Sequence, residues 1–289
     1  MLKKRTLAFL LSLFLLPLMA AEFPQSVVLE SGSIKVRLDA KKMWNINRIE
    51  WRGELVCVDT PWAHYGTACR LKGSPHFIGS GHNESGSMEK VDALKLFVDG
   101  AEVVPGESAL SGKVIRLEKT SSIAVFQVKY AFEIKDDIIS EETEVSASED
   151  VQLQQLYCGM HPWAPRFTDY CVIDQRGKKN IGSFRADEDH RNRNFVPYFN
   201  WYDRKSGIIV STVAAPLSFG KNSRRMLWDR KIYKKDYVCL VMNDVFPAGQ
   251  KAVCRVRTGF SKQEDAQKWV SDAETLCKVL DQFPAEKAE

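Results

Sequence analysis

The chain has 289 residues, 44% of them hydrophobic and 27% charged, with 11 Pro and 17 Gly. Those proportions exclude intrinsic disorder, a collagen repeat and a coiled coil, and the length suits one large all-β domain. A formal charge of +4, from 41 Lys+Arg against 37 Asp+Glu, is too small to predict nucleic-acid binding.

The first segment reads as a targeting signal rather than as fold. Lys3, Lys4 and Arg5 precede an uncharged apolar run from Leu7 to Met19, and Ala20-Ala21 supplies small residues for cleavage. This is the layout of a secretory signal peptide over residues 1–21, and the run is shorter than the roughly 20 apolar residues of a transmembrane helix. No Cys follows it for a lipid anchor. The expectation is an exported protein, periplasmic or extracellular, with one domain over residues 22–289 and no membrane anchor after cleavage.

From there the hydrophobic period is two. Ser33–Asp39 alternates polar and apolar residues, followed by Trp44–Trp51, Leu94–Val98 and Val114–Glu118. Ile123–Ile134 reads as one long strand, paired with Ile138–Val145 across an Asp136-Asp137 turn. Val151–Cys158, Ile208–Val213, Tyr237–Met242 and Ala252–Thr258 continue the pattern, with turn signals such as Arg52-Gly53 and Asp99-Gly100 between strands. The predicted class is all-β, an antiparallel sandwich with one C-terminal α-helix. That helix is expected over about 262–282, with Ser261 and Glu264 as a capping box and Trp269, Ala273, Cys277 and Leu280 on one face.

Seven cysteines are scattered without a C-x-x-C pair, which excludes zinc-ribbon and thioredoxin patterns. In an oxidising compartment Cys57/Cys69, Cys158/Cys171 and Cys239/Cys254 are candidate disulfides on adjacent strands, the alternative being buried apolar thiols.

Two long polar, aromatic-rich stretches, 60–90 and 161–202, hold all five histidines. Loops of such length in a compact domain are functional or disordered, and aromatic content argues for function. Gly79-Ser80-Gly81-His82-Asn83-Glu84 has Glu where a dinucleotide fingerprint needs its third Gly. Nucleophile-elbow, Walker A and H-E-x-x-H sequences do not occur. No metal or cofactor is predicted. Charge is divided unevenly: residues 21–160 carry 15 basic and 21 acidic side chains, and residues 161–260 carry 19 and 9. The basic part includes Arg191, Arg193 and Arg224-Arg225, interleaved with Trp163, Tyr198, Trp201, Tyr202 and Trp228. Aromatic faces stack on sugar rings and Arg forks grip carboxylates or sulfates, so the expected partner is an anionic polysaccharide.

Val27–Leu38, then Trp44–Leu55, resembles the entry hairpins of the galactose mutarotase-like superfamily. Tyr198-Phe199-Asn200 is similar to part of the epimerase motif, without the His that precedes it there. The resemblance implies a β-supersandwich of the kind used by aldose epimerases and by sandwich domains of polysaccharide lyases. The leading expectation is β-elimination on a uronate or sulfated glycan. Its candidate bases are His82 and His161 and its candidate acids Tyr198 and Tyr202, with Arg191, Arg193 or Asn83 neutralising the carboxylate. In an epimerase, Glu84 and His161 would exchange protons with the ring oxygen and the anomeric hydroxyl. A binding protein would use Trp163, Trp201, Arg191, Arg193 and Asn83 without a base.

Overall fold

The computed structural model describes residues 23–58, 64–80, 82–83, 89–103, 106–218 and 223–282; residues 1–21, expected from the sequence to be a signal peptide, lie outside them. The strands open with β1 (Ser26–Ser31), β2 (Ile34–Asp39), β3 (Ile46–Trp51), β4 (Glu54–Val58), β5 (Ala68–Leu71), β6 (Ile78–Gly79), β7 (His82–Asn83) and β8 (Lys90–Val98). Next come β9 (Ala101–Glu102), β10 (Ala109–Ser111), β11 (Val114–Ile123), β12 (Phe126–Lys135), β13 (Ile138–Ala147), β14 (Val151–Trp163), β15 (Asp169–Ile173) and β16 (Lys179–Ser183). The last are β17 (His190–Asn192), β18 (Tyr198–Tyr202), β19 (Ile208–Ala214), β20 (Ser223–Asp229), β21 (Lys234–Phe246) and β22 (Lys251–Lys262), before the helix α1 (Trp269–Leu280).

These form two sheets. The first runs β10-β1-β2-β3-β4-β14-β21-β20-β17, with β5, β6 and β7 branching from β14. The second runs β16-β15-β18-β19-β22-β13-β12-β11-β8-β9. Pairing is antiparallel except between β1 and β10. The alternation read from the sequence is the burial pattern: Ile34, Val36 and Leu38 of β2 pack against Ile115, Leu117, Phe132 and Ile134 of the second sheet. Full burial of each such side chain contributes about 1.5–3 kcal/mol, so the shared core holds the sandwich closed. Among the described residues no helix is long and apolar enough to cross a membrane.

Three expectations change. Ile123–Ile134 is two strands, since Ile123 pairs with Phe126 around a tight Ala124-Val125 turn in which Ala124 takes φ 51°. Neither turn residue is Gly, Asn or Asp, so the sequence carries no turn signal there. The Asp136-Asp137 turn is present, with φ of 52° and 58°. The helix starts at Trp269, because β22 continues through Lys262 and keeps Ser261 in the sheet. The turn into it is closed by Asp265, whose Oδ1 accepts the Gln267 N–H at 2.8 Å. Trp269, Ala273, Cys277 and Leu280 face the second sheet, Trp269 stacking on Tyr202 at 5.0 Å.

The third change concerns the cysteines, all seven of which are buried and none of which forms a disulfide among the described residues. The expected pairs do not lie on adjacent strands. Cys57 and Cys69 sit on β4 and β5, which are not neighbours, and the other two pairs each straddle the two sheets. Burial pushes the Cys69 and Cys239 thiols up to about 12, so they behave as small apolar residues.

Candidate functional site

On β21, Val238 and Leu240 pack with Val128 and Val145 of the second sheet. The alternating residues Lys235, Tyr237 and Cys239 therefore face away from the core. Strand register puts Trp228 and Pro162 beside Lys235, Met226 and Met160 beside Tyr237, and Arg224 and Tyr157 beside Cys239. His190 of β17 pairs with Trp228, and Ala68 of β5 with Tyr157. The outer face of the first sheet thus collects aromatic rings from four strands, β14, β17, β20 and β21.

Those rings form a continuous series. The His64 centroid lies 5.2 Å from His82, and His82 lies 5.5 Å from Phe77. Phe77 stacks on Tyr157 at 4.7 Å, and Tyr157 meets Tyr237 at 4.8 Å. Tyr237 lies 6.2 Å from Trp228, which stacks on His190 at 5.2 Å with 6° between planes. Tyr237, Tyr233, Met160 and Lys235 form a buried floor, while His64, Phe77, His82, Tyr157, Trp228 and His190 are half-buried. Cations stand over the rings: Arg70 is 5.0 Å from Phe77, Lys235 5.0 Å from Tyr237, and Arg230 4.6 Å from Trp228. Glu188 pairs with Arg230, and its carbonyl accepts the Trp228 indole N–H at 2.9 Å.

Burial, then the charges of Lys235, His82 and Lys42, lowers the His64 pKa to about 3. At neutral pH His64 is therefore an uncharged hydrogen-bonding ring, not a base. An NMR titration should show its imidazole resonances unmoved between pH 8 and about pH 4, where an exposed histidine near 6.5 has already titrated. A midpoint near 6.5 would contradict the burial argument.

Buried ionic clusters fix the segments that carry both histidines. Beneath His64, the Tyr65 hydroxyl donates to Glu141 Oε2 at 2.7 Å, Tyr130 donates to Oε1 at 2.8 Å, and His161 Nε2 lies 3.1 Å from Oε2. His161 Nδ1 lies 3.9 Å from Asp236, whose carboxylate is paired with Arg225. Burial alone would raise the Glu141 pKa, but His161 and the two tyrosines hold it below the usual carboxylate value. Beside His82, Glu89 accepts from Ser80 at 2.7 Å, Ser121 at 2.6 Å, Asn45 at 3.0 Å and Lys119 at 2.7 Å. Gly66, at φ +111°, joins the two clusters, and a Cβ there would stand 2.6 Å from Ser80 Oγ.

The residues expected to form the site are dispersed. His82 is on the ring face and Asn83 follows it on β7; Glu84 and the Asn83 side chain lie outside the described residues. His161 is 1% exposed and points between the sheets, held by Glu141, so no polymer can reach it. Trp163 and Trp201 are fully buried core rings 5.3 Å apart, which corrects their assignment as sugar platforms. Tyr202 lies under α1 with its hydroxyl donating to the Gln263 carbonyl at 3.0 Å. Tyr198 donates to Asp281 at 2.6 Å, and that hydrogen bond, with some burial, pushes it up to about 12. Arg191 is engaged by Asp229 and Asp187. Arg193 is exposed at the rim, its Nη2 3.3 Å from His190 Nδ1.

Several basic residues of 161–260 are engaged by carboxylates of the same stretch, two of them, Arg225 and Lys234, inside the protein. Arg225 pairs with Asp236, Lys234 with Asp229 and Arg204 with Asp169. What the sequence reading missed is the ring series through Phe77, Tyr157 and Tyr237. Tyr157 and Tyr237 lie inside predicted strands, where an aromatic residue reads as core. Among the described residues no group of three His, Cys, Asp or Glu side chains could hold a metal ion.

No protein-family model matches the chain, and no curated protein matches its sequence. Solved structures do match in fold. The Slr1438 protein from Synechocystis sp. PCC 6803 superposes with TM-score 0.52 at 8% identity, covering 90% of this chain and 100% of that one. The α-N-acetylgalactosaminidase NagBb from Bifidobacterium bifidum matches with TM-score 0.50 at 9% identity, over 87% of this chain and 39% of that enzyme. A putative aldose 1-epimerase from Escherichia coli K12 matches with TM-score 0.46 at 9% identity, over 82% and 99%. The first two likenesses show the fold alone, a β-sandwich. A galactose mutarotase related enzyme from Lactobacillus acidophilus and a galactose mutarotase-like protein from Clostridium acetobutylicum each match with TM-score 0.46 at 9% identity.

Proposed function

We propose that this is an exported carbohydrate-binding protein whose ligand, an anionic glycan, lies on the outer face of the first sheet. The observation that carries the reading is the unbroken ring series from His64 to His190 with cations over Phe77, Tyr237 and Trp228. Aromatic faces offer apolar contact to the C–H faces of sugars, and guanidinium groups offer paired donors to carboxylate or sulfate. Export rests on the basic, apolar and small-residue order of residues 1–21.

If the face also performs chemistry, proton exchange at an anomeric centre suits it better than β-elimination. Of the groups expected for elimination, both candidate acids, Tyr198 and Tyr202, and one of the three candidate neutralisers, Arg191, are engaged elsewhere. His82 lies on the face, whereas His64 cannot serve as a base near neutral pH. Polarimetry of a freshly dissolved monosaccharide tests this directly, a rate equal to buffer leaving binding as the whole function.

Binding is tested by titrating the mature protein with neutral and uronate oligosaccharides while following tryptophan fluorescence. Trp228→Ala should weaken uronate binding about ten-fold, or ~1.4 kcal/mol, with the fold retained. No binding across the panel would end the carbohydrate reading.

A further inference from the structure

At one end of the sandwich lies an open cleft of about 800 Å³, a volume within the range of small-molecule sites. The β3–β4 turn of the first sheet and the β18–β19 turn of the second both line it. None of its residues belongs to the ring series. Five cations and two carboxylates line the cleft, and three of the cations are already held. Arg166 donates Nε to Asp203 at 2.8 Å and Nη1 to Glu54. Arg204 grips Asp169 at 2.6 and 2.7 Å, and Lys262 lies 3.0 Å from Glu264. The other two are Arg52 and Lys205, both exposed and without a carboxylate partner among the described residues.

Both sit on turns that the fold holds in place. The Arg52 guanidinium lies 4.6 Å from the centroid of Trp51, a buried ring that stacks on Phe260 at 6.1 Å. Asp203 closes the turn that carries Lys205, accepting the Lys205 N–H at 3.0 Å and the Ser206 hydroxyl at 2.7 Å. Two like charges in one cleft, neither paired within the protein, favour an anion between them. The paired arginines leave Arg166 Nη2 and Arg204 Nη1 as further donors. We infer that the cleft is a binding site for a small organic acid with at least two anionic groups, one met by Arg52 and one by Lys205. The cleft is larger than an inorganic ion needs, and the two cations come from different sheets. Hydroxyl groups on the acid suit the remaining lining, since Glu54 and Glu264 accept and the two arginines donate. This site goes beyond the carbohydrate reading and does not rest on it.

The experiment is an NMR titration of the mature protein with citrate, read at two indole N–H signals. Trp51 reports the cleft, because a ligand on Arg52 moves the guanidinium that lies over its ring; Trp228 reports the ring face. Citrate should shift the Trp51 signal to saturation and leave the Trp228 signal in place. Lactate, with one carboxylate, should bind at least ten-fold more weakly. Arg52→Asn suits the φ of 51° at that turn, and Lys205→Gln removes the other free charge. Each should weaken citrate about ten-fold with the fold retained. A response that sodium chloride reproduces at equal ionic strength would overturn the inference, as would equal binding of lactate and citrate or unchanged affinity in both variants. A shift at Trp228 with Trp51 fixed would place the anion on the ring face and overturn the cleft site as well.

Discussion

Glu141→Gln should destabilise the protein by about 1–3 kcal/mol in urea unfolding at pH 7, the cost of leaving a buried donor without its partner. The carboxylate is enclosed between the sheets and has three partners: the Tyr65 and Tyr130 hydroxyls and His161. An amide of the same shape offers one acceptor oxygen where two are used, so at least one donor loses its partner. It also removes the negative charge facing His161. Tyr65→Phe, which deletes one hydrogen bond and keeps the ring, should cost only about 1 kcal/mol. The acid limb separates the charge from the packing. The folded pKa of Glu141 is lowered, so its stabilisation is fully present above the unfolded value near 4.3 and is lost as pH falls below it. The gap between wild type and Glu141→Gln should therefore narrow below pH 4. A gap that stays constant with pH would show that packing, not charge, is what Glu141 contributes.

The sandwich was legible because its strands alternate: β2, β12 and β13 announce their inner faces residue by residue. What could not be read was which strand faces which. His161 and Met160 are adjacent in sequence and point to opposite sides of β14, and only the pairing of β14 with β21 says which side is core. Residue type alone does not separate the two faces of a strand. The expected site therefore mixed an outward ring, His82, with the inward rings Trp163 and Trp201. The bulges of β14, between Leu153 and Gln155 and between Tyr157 and Gly159, shift the alternation in the strand that divides the site from the core. The two-residue turn at Ala124-Val125 escaped notice for a related reason: Ile123 and Phe126 both point inward, so the apolar pattern runs through the turn without a break. Cys254 and Cys239 illustrate the same limit, being close in sequence and on different sheets.

Lys119→Met tests whether the second buried cluster serves the ring face as well as the fold. Lys119 and Glu89 are each enclosed, their charges 2.7 Å apart, and Lys119 also donates to the Asn45 side chain at 2.7 Å and the Met43 carbonyl at 3.0 Å. Removing the ammonium leaves the Glu89 carboxylate buried with only neutral donors, a loss of about 3–5 kcal/mol. Lys119→Met combined with Glu89→Gln removes both charges and should recover most of that loss, because the amide still accepts from Ser80, Ser121 or Asn45. The second consequence separates support from site. Ser80 and Glu89 bracket in sequence the segment that carries His82, and their hydrogen bond closes its base. In Lys119→Met the His82 imidazole resonances should shift and uronate affinity should fall, both returning in the double variant. Stability that falls while the His82 resonances and the affinity stay fixed would confine the pair to the core. Coupled loss and recovery would show that a charge pair inside the sandwich sets the geometry of rings on its outer face.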